Sequence, residues 1–146
     1  MNSEVIHKVG KTSVTASADW LDVTEEVEQP NPPFTLAKPN GVGVIQFSGA
    51  EYRSGKMPNI TIKDLQNLLE DFATSHGLEK GYDSSFRETP ILVSSASFNF
   101  ERRFFRVWYV SNGQDIILAT YNCQCGLQQS ELPDCERMVF NLKFQE

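Results

Sequence analysis

Three cysteines are the residues in this 146-residue sequence whose type most directly suggests chemistry. Cys123 and Cys125 are separated by one residue, and Cys135 lies further along the chain. A structural zinc site needs a complete tetrahedral set of ligands, often including histidines, but His7 and His76 lie far upstream. Three thiols cannot all pair within one chain, which favours a reducing compartment. We predict no metal site and no cofactor, although the sequence alone leaves metal binding by these thiols open.

Nucleophilic catalysis requires a serine, cysteine or similar group beside a base, and two histidines offer few such bases. His76 precedes Gly77 at the end of a predicted helix, where a half-buried ring complements the helix dipole. His7 falls in a predicted mobile N-terminus, and nothing in the spacing places a nucleophile beside either ring. We therefore predict that the protein is not an enzyme and has no catalytic or cofactor-binding residues.

Acidic residues are concentrated in one polar stretch that ends at three prolines. Such a run is most often a solvated loop, but it is also suited to docking a basic protein. The chain has 13 basic and 19 acidic residues, giving a net charge of −6, which opposes nonspecific nucleic-acid binding. The densest group of cations, Arg102, Arg103 and Arg106, is small and lies on a predicted strand. The candidate partner-binding residues are Asp22, Glu25, Glu26 and Glu28.

Two segments have the spacing of amphipathic helices. In the first, Thr61 is a possible N-cap with Asp64 at the capping-box position, and Gly77 can end the helix, which predicts a helix over about 62–76. In the second, an apolar stripe and Pro133 in the first turn predict a C-terminal helix over about 132–143. The second segment also alternates as a strand would, and that alternative stays open.

The remaining apolar segments have β patterns and turn signals between them. Asn40-Gly41 and Asn112-Gly113 predict tight turns, and Trp20 is the expected anchor of a short first strand. The strand over 104–110 is apolar on both faces, with Phe105, Val107 and Tyr109 opposite Phe104, Trp108 and Val110. A strand that is apolar on both faces needs a covering layer on each. We predict an α+β fold in which an antiparallel sheet of about five to seven strands is sandwiched between the early and the C-terminal helix.

The order of these elements from Trp20 to Phe144 resembles the Mog1/PsbP-like fold, in which helices cover both faces of an antiparallel sheet. Three short motifs are Gly-Val-Ile-Gln-Phe-Ser at 43–48, Phe-Arg-Val-Trp-Tyr at 105–109 and Thr-Tyr-Asn-Cys at 120–123. They are similar to motifs of a family of small, mostly uncharacterised bacterial proteins. Some proteins of this kind look like immunity proteins encoded beside secreted toxins. The resemblance supplies no catalytic residues.

These observations lead to one functional expectation and two alternatives. We expect a single domain of residues 1–146 that acts as a non-catalytic protein-binding module. In its concrete form, it is an immunity-type inhibitor of a basic toxin. The first alternative is a small-molecule-binding protein or enzyme with a pocket beside the sheet, and the second is a structural subunit that self-associates. No apolar run approaches the roughly 20 residues needed to cross a bilayer, and no signal peptide is evident at the start of the chain. A cytoplasmic protein without membrane or nucleic-acid partners is therefore expected.

Overall fold

The computed structural model describes residues 3–50 and 60–144. Two 3₁₀ turns, Thr24–Glu26 and Gln128–Ser130, accompany the regular elements. In chain order the elements are β1 Glu4–Val9, β2 Thr12–Ser17, β3 Leu21–Asp22, β4 Phe34–Ala37, β5 Gly43–Ala50, α1 Ile62–Ser75, β6 Tyr82–Arg87, β7 Leu92–Phe100, β8 Arg103–Ser111, β9 Ile116–Gln124, α2 Leu132–Phe140 and β10 Lys143–Phe144.

Seven of the described strands form one antiparallel sheet in the order β3-β4-β5-β9-β8-β7-β6. Its longest strands are β7, β8 and β9, which have nine residues each, and β9 is the middle strand of the sheet. Asn40 and Gly113 adopt positive φ angles of 59° and 99° in the predicted turns. The antiparallel sheet and both turns are thus confirmed.

Each face of this sheet packs against its own layer. Leu65 and Leu69 of α1 contact one face, in the same core as Val107 and Tyr109 of β8. The opposite face packs against α2 through Val139 and other residues, together with Phe104, Trp108 and Val110 of β8. Strand β8 therefore sends alternate side chains into two cores, as its pattern predicts, and the sandwich of the sheet between an early and a C-terminal helix is confirmed.

The ends of α1 follow the capping rules used to predict it. Thr61 accepts a hydrogen bond from the backbone N–H of Asp64, and the Asp64 side chain accepts one from the N–H of Thr61. This reciprocal pair satisfies two of the otherwise unpaired N–H groups at the helix start. The helix ends at Ser75, and Gly77 follows with a φ of 66°.

The C-terminal helix is shorter than the predicted 132–143, because it ends at Phe140. The N–H of Asn141 still bonds to the helix carbonyl of Arg137. Lys143 and Phe144 then pair with Ser13 and Thr12 of β2 as a short strand. The C-terminal segment is therefore a helix, as predicted, and only its last two described residues pair as a strand.

Residues Glu4 to Ser17, in the N-terminal segment for which the sequence indicates no strands, form a β-hairpin. Strands β1 and β2 pair over six residues each, across a turn in which Gly10 has a φ of 60°. Val14 and Ala16 of β2 are buried in the same core as α2, and the His7 ring lies 5.3 Å from that of Phe34. One face of the hairpin is therefore part of that core.

Strand β6 lies in the polar stretch from residue 81 to 90, where the sequence shows no strand pattern. All six of its residues are exposed, because β6 is the outermost strand of the sheet. An edge strand need not alternate apolar and polar residues, so its pattern gives little indication of it. Its pairing with β7 shifts register between Tyr82 and Ser85, where Asp83 has a φ of 51°.

Candidate protein-binding surface

The four candidate residues lie together at the β3 edge of the main sheet, on the side opposite β6. Asp22 is the second residue of β3, Glu25 and Glu26 form the 3₁₀ turn that follows, and Glu28 comes two residues later. All four side chains are exposed. We call this surface, made of Asp22, Glu25, Glu26 and Glu28, the acidic edge.

Hydrogen bonds fix the backbone that carries the acidic edge. Asp22 Oδ1 accepts bonds from the hydroxyl of Thr24 at 2.6 Å and from its backbone N–H at 3.0 Å. The same Thr24 hydroxyl oxygen accepts a bond from the N–H of Thr35 on β4 at 2.9 Å, and the N–H of Val23 donates to the Thr35 carbonyl. The bonds from Thr24 lower the pKa of Asp22, with a smaller contribution from His7. Asp22 therefore helps to hold the turn in place.

Glu25, Glu26 and Glu28 have no ion-pair partner among residues 3–50 and 60–144. Lys38 is the nearest basic residue along the chain, but its Nζ lies 3.8 Å from Oδ2 of Asp19 and 6.0 Å from the Trp20 ring centre. Three exposed carboxyl groups on one short, hydrogen-bonded segment make a compact negative surface. Such a surface attracts cationic partners and accelerates their association at low salt.

The cysteines do not come together as a set of metal ligands. Cys123 and Cys135 are buried, and Cys125 is exposed near Asn99. Burial raises the pKa of the Cys123 and Cys135 thiols, so both are poor nucleophiles. In the part of the chain that the structure describes, no group of three or more potential ligands is arranged to hold a metal ion.

Neither histidine has the surroundings of a catalytic base. His76 is exposed rather than half-buried, stacks on Phe72 at 4.1 Å, and has Nδ1 2.9 Å from the Phe72 carbonyl oxygen. The hydroxyl of Ser75 lies 3.3 Å from the same nitrogen, but the two residues are neighbours on an open helix end. His7 packs against Phe34 in the N-terminal hairpin.

The structure separates the three arginines that are close in sequence. Arg102 and Arg103 are exposed at the β7–β8 turn, whereas Arg106 is buried on the sheet face that packs against α2. The Arg106 guanidinium donates bonds to the hydroxyls of Ser95 and Ser97 and to the carbonyl of Asp83 at the register shift of β6. Burial lowers its pKa, while Glu136 of α2 at 3.5 Å opposes that shift. No cationic surface patch is formed by the three.

A second buried polar group, centred on Glu131, is not predicted from the sequence. Glu131 is 2% exposed and accepts bonds from the Tyr121 hydroxyl at 2.9 Å and from the N–H groups of Gly43 and Val42 at 3.0 and 3.1 Å. A Cβ at Gly43 would collide with the Asn122 carbonyl and the Tyr121 hydroxyl. Glu131 therefore joins the start of α2 to the β4–β5 turn. The residues before it, Gln-Gln-Ser, are polar and predict an exposed segment, so the burial of Glu131 is not evident from the sequence.

A groove of about 740 Å³ lies between α1 and the outer strands β6 and β7. The helix covers β7 and β8 but leaves the β6 side of this face open, with Phe86 61% exposed. Apolar and hydroxyl side chains both line the groove. They include Leu69, Ala73, Ser84, Phe86, Ser94 and Phe98.

None of the helices in the described residues is both long enough and apolar enough to span a membrane. No family model matches the sequence, and no curated protein matches it either.

Several solved structures share the fold over almost the whole chain. The Ran-binding protein Mog1p of Saccharomyces cerevisiae superposes with a TM-score of 0.66, 9% identity, and coverage of 99% of this chain and 96% of that one. The PsbP of the cyanobacterium Synechocystis gives a TM-score of 0.67, 9% identity, and coverage of 99% and 94%. A protein from Bacteroides thetaiotaomicron gives a TM-score of 0.65 and 13% identity, and the match covers 99% of this chain and 49% of that one. The chain has the Mog1/PsbP-like fold.

Proposed function

We propose that this protein is a non-catalytic protein-binding module whose acidic edge contacts a basic partner. The observation that supports this most directly is the set of exposed carboxyl groups of Glu25, Glu26 and Glu28, which have no ion-pair partner in residues 3–50 and 60–144. The turn that precedes Glu28 and contains Glu25 and Glu26 is held by the Thr24 bonds, so little backbone conformational entropy is lost there when a partner binds.

The described residues also bring no nucleophile, base and orienting group together in a closed cavity. One solved structure with this fold is described as a Ran-binding protein, so the fold is compatible with protein recognition. In its concrete form, the proposal is an immunity-type inhibitor. The acidic edge would cover a cationic surface of a toxin, as opposite charges favour at an interface.

The test is affinity capture from the native cell with two baits of equal net charge. In the first, Glu25, Glu26 and Glu28 are replaced by Lys; in the control, Asp71, Glu88 and Glu101, which are exposed elsewhere, are replaced in the same way. We expect the control and the unmodified protein to capture the same partner and the acidic-edge bait to lose it.

The captured partner is then titrated at several salt concentrations. If the acidic edge forms the interface, affinity for the unmodified protein falls steeply with salt, and the acidic-edge variant shows a flatter dependence. Equal affinity and equal salt dependence for both proteins would show that the acidic edge is not the binding surface.

The groove beside α1 supports a second candidate function, the binding of a small molecule. Its volume lies within the range of about 300–1,000 Å³ that is usual for ligand sites. Thr74→Trp would fill the groove from the α1 side, and Asn67→Trp would place the same ring on a part of α1 that does not line it. A metabolite that raises Tm for the unmodified protein and Asn67→Trp, but not for Thr74→Trp, would support this function over the first.

A further inference from the structure

The free edge of β1 is a surface for strand pairing that the acidic edge and the groove do not involve. Among residues 3–50 and 60–144, strand β1 pairs with β2 alone, over six residues without a bulge. Its exposed residues include two large apolar ones, Ile6 at 65% and Val5 at 40%. Among the described strands, the two outer strands of the main sheet are less suited to pairing. β3 has two residues, and β6 has a register shift.

The backbone groups that β1 presents to its free edge can be assigned from its bonds to β2. The N–H of Ala18 donates to the carbonyl of Ser3 at 2.8 Å, so Ser3 points its carbonyl towards β2. Backbone groups alternate in direction along an antiparallel strand. Val5, His7 and Val9 therefore bond to β2, whereas Glu4, Ile6 and Lys8 direct their N–H and C=O groups outward.

The side chains of the same three residues also share one face. Glu4, Ile6 and Lys8 lie opposite Ser17, Thr15 and Ser13 of β2, which alternate with the buried Thr12, Val14 and Ala16. Opposite residues of an antiparallel pair project to the same face. Along the outer face of β1, the side chains are therefore acidic (Glu4), apolar (Ile6) and basic (Lys8), with Ile6 at the centre.

We propose that this edge pairs with the same edge of a second copy of the chain, antiparallel and centred on Ile6. In this register Ile6 lies opposite Ile6 of the second copy, and Glu4 lies opposite Lys8 on both sides of the two-fold axis. Each of the three pairs is of the type that exchanges two backbone bonds, so the pairing forms about six of them. A charged residue on an edge strand normally discourages pairing. Here the symmetry matches each charge with its opposite.

Only one strand of each copy takes part, so the interface is small. The dimer is therefore weak and forms only at high protein concentration. Analytical ultracentrifugation at low ionic strength measures the dissociation constant of this dimer, and charge-reversal variants test the proposed register. Glu4→Lys or Lys8→Glu alone places like charges opposite each other twice and should weaken association about tenfold. The double variant Glu4→Lys, Lys8→Glu restores both pairs and should return to within about threefold of the unmodified protein.

Lys11→Glu is the matched control, since Lys11 is exposed in the turn beyond the paired residues. It changes the net charge as Lys8→Glu does and should leave association unchanged. An unmodified protein that stays monomeric at every concentration reached would overturn the proposal. So would a double variant that associates no better than the single ones.

Disulfide trapping tests the register itself, in a Cys125→Ser background that removes the exposed thiol. Opposite residues of a bonded pair have Cα atoms about 5.5 Å apart, within disulfide reach. We expect Ile6→Cys to form a covalent dimer under mild oxidation. Lys8→Cys should not, because two Lys8 positions lie four residues out of register. Cross-linking of Lys8→Cys as efficiently as Ile6→Cys would contradict this register.

Discussion

Glu131 accepts three hydrogen bonds from groups on β9 and around the β4–β5 turn, and almost none of its surface is exposed. A buried acceptor of this kind matters mainly through the donors that depend on it. If it is truncated, the Tyr121 hydroxyl and the N–H groups of Val42 and Gly43 lose their partner at once. The role of Glu131 is therefore to fix the start of α2 against the sheet.

We predict that Glu131→Ala lowers the free energy of unfolding by about 3 kcal/mol, because it leaves several donors unsatisfied. Tyr121→Phe removes one of those donors and should cost about 1 kcal/mol. Urea unfolding followed by fluorescence measures both. Equal effects of the two substitutions would mean that the backbone donors find other partners and that Glu131 is not the centre of this group.

Tyr109 gives the protein a pH dependence on the alkaline side. Burial raises the pKa of Tyr109 to about 12, with a smaller contribution from Asp71, whereas the unfolded chain keeps the ordinary value near 10. A group whose pKa is raised by folding contributes stability below its unfolded pKa and loses that contribution as pH rises through the folded pKa. Stability should therefore fall between about pH 10 and pH 12.

Tyr109→Phe isolates this contribution, because phenylalanine does not ionise. Between about pH 9.5 and pH 11.5, we expect the free energy of unfolding of the unmodified protein to fall by about 1.5 kcal/mol more than that of the variant. Urea unfolding of both proteins at both pH values measures the fall for each. If both proteins lost the same free energy, the Tyr109 hydroxyl would have to ionise equally in the folded and unfolded chain.

At the scale of elements, the sequence predicts those whose signals are local. α1 has its cap, its apolar face and Gly77 within one segment, and the β8–β9 hairpin has Asn112-Gly113 between two apolar runs. The predicted end of α2 was wrong because β10 forms only by pairing with β2, which lies more than a hundred residues earlier in the chain. Strand β6 was missed because an exposed edge strand needs no apolar alternation.

The same distinction holds for the candidate surface. The exposure of Glu25 and Glu28 could be expected from a charged run beside prolines. That Asp22 anchors the turn through Thr24, and that Thr24 bonds to Thr35 across to β4, depends on strand pairing that no local pattern shows. The burial of Arg106 could not be predicted for the same reason, because its partners come from three other elements, β6, β7 and α2.

The capping box of α1 supports a prediction at this scale. Thr61→Ala removes the acceptor for the Asp64 N–H and should lower the free energy of unfolding by about 1 kcal/mol. Thr74→Ala, on an exposed position of the same helix, is the control and should change it by less than about 0.5 kcal/mol. Thermal or urea unfolding distinguishes the two. A cost at Thr74 equal to that at Thr61 would show that capping is not the cause.

For the molecule as a whole, the important feature is that two cores share one sheet. Val107 and Tyr109 of β8 face α1, while Phe104 and Trp108 of the same strand face α2. Loss of either layer would expose a row of large apolar side chains on the central strands. Each layer therefore depends on the other, although α1 and α2 lie on opposite sides.

This arrangement predicts a single cooperative unfolding transition, even when only one layer is weakened. Trp20 and Trp108 both lie in the core beneath α2, so tryptophan fluorescence reports on that side, whereas far-UV circular dichroism reports on both helices and the sheet. Leu65→Ala removes a fully buried side chain of α1 and should cost about 2–5 kcal/mol. The fluorescence and dichroism transitions should move together to lower urea concentration, and the dependence of the unfolding free energy on urea should be unchanged.

Val139→Ala makes the corresponding change under α2. Its fluorescence and dichroism transitions should also coincide, because the shared sheet transmits the loss of either layer. Loss of the dichroism signal before the fluorescence change in Leu65→Ala would show that α1 unfolds separately from the sheet beneath it.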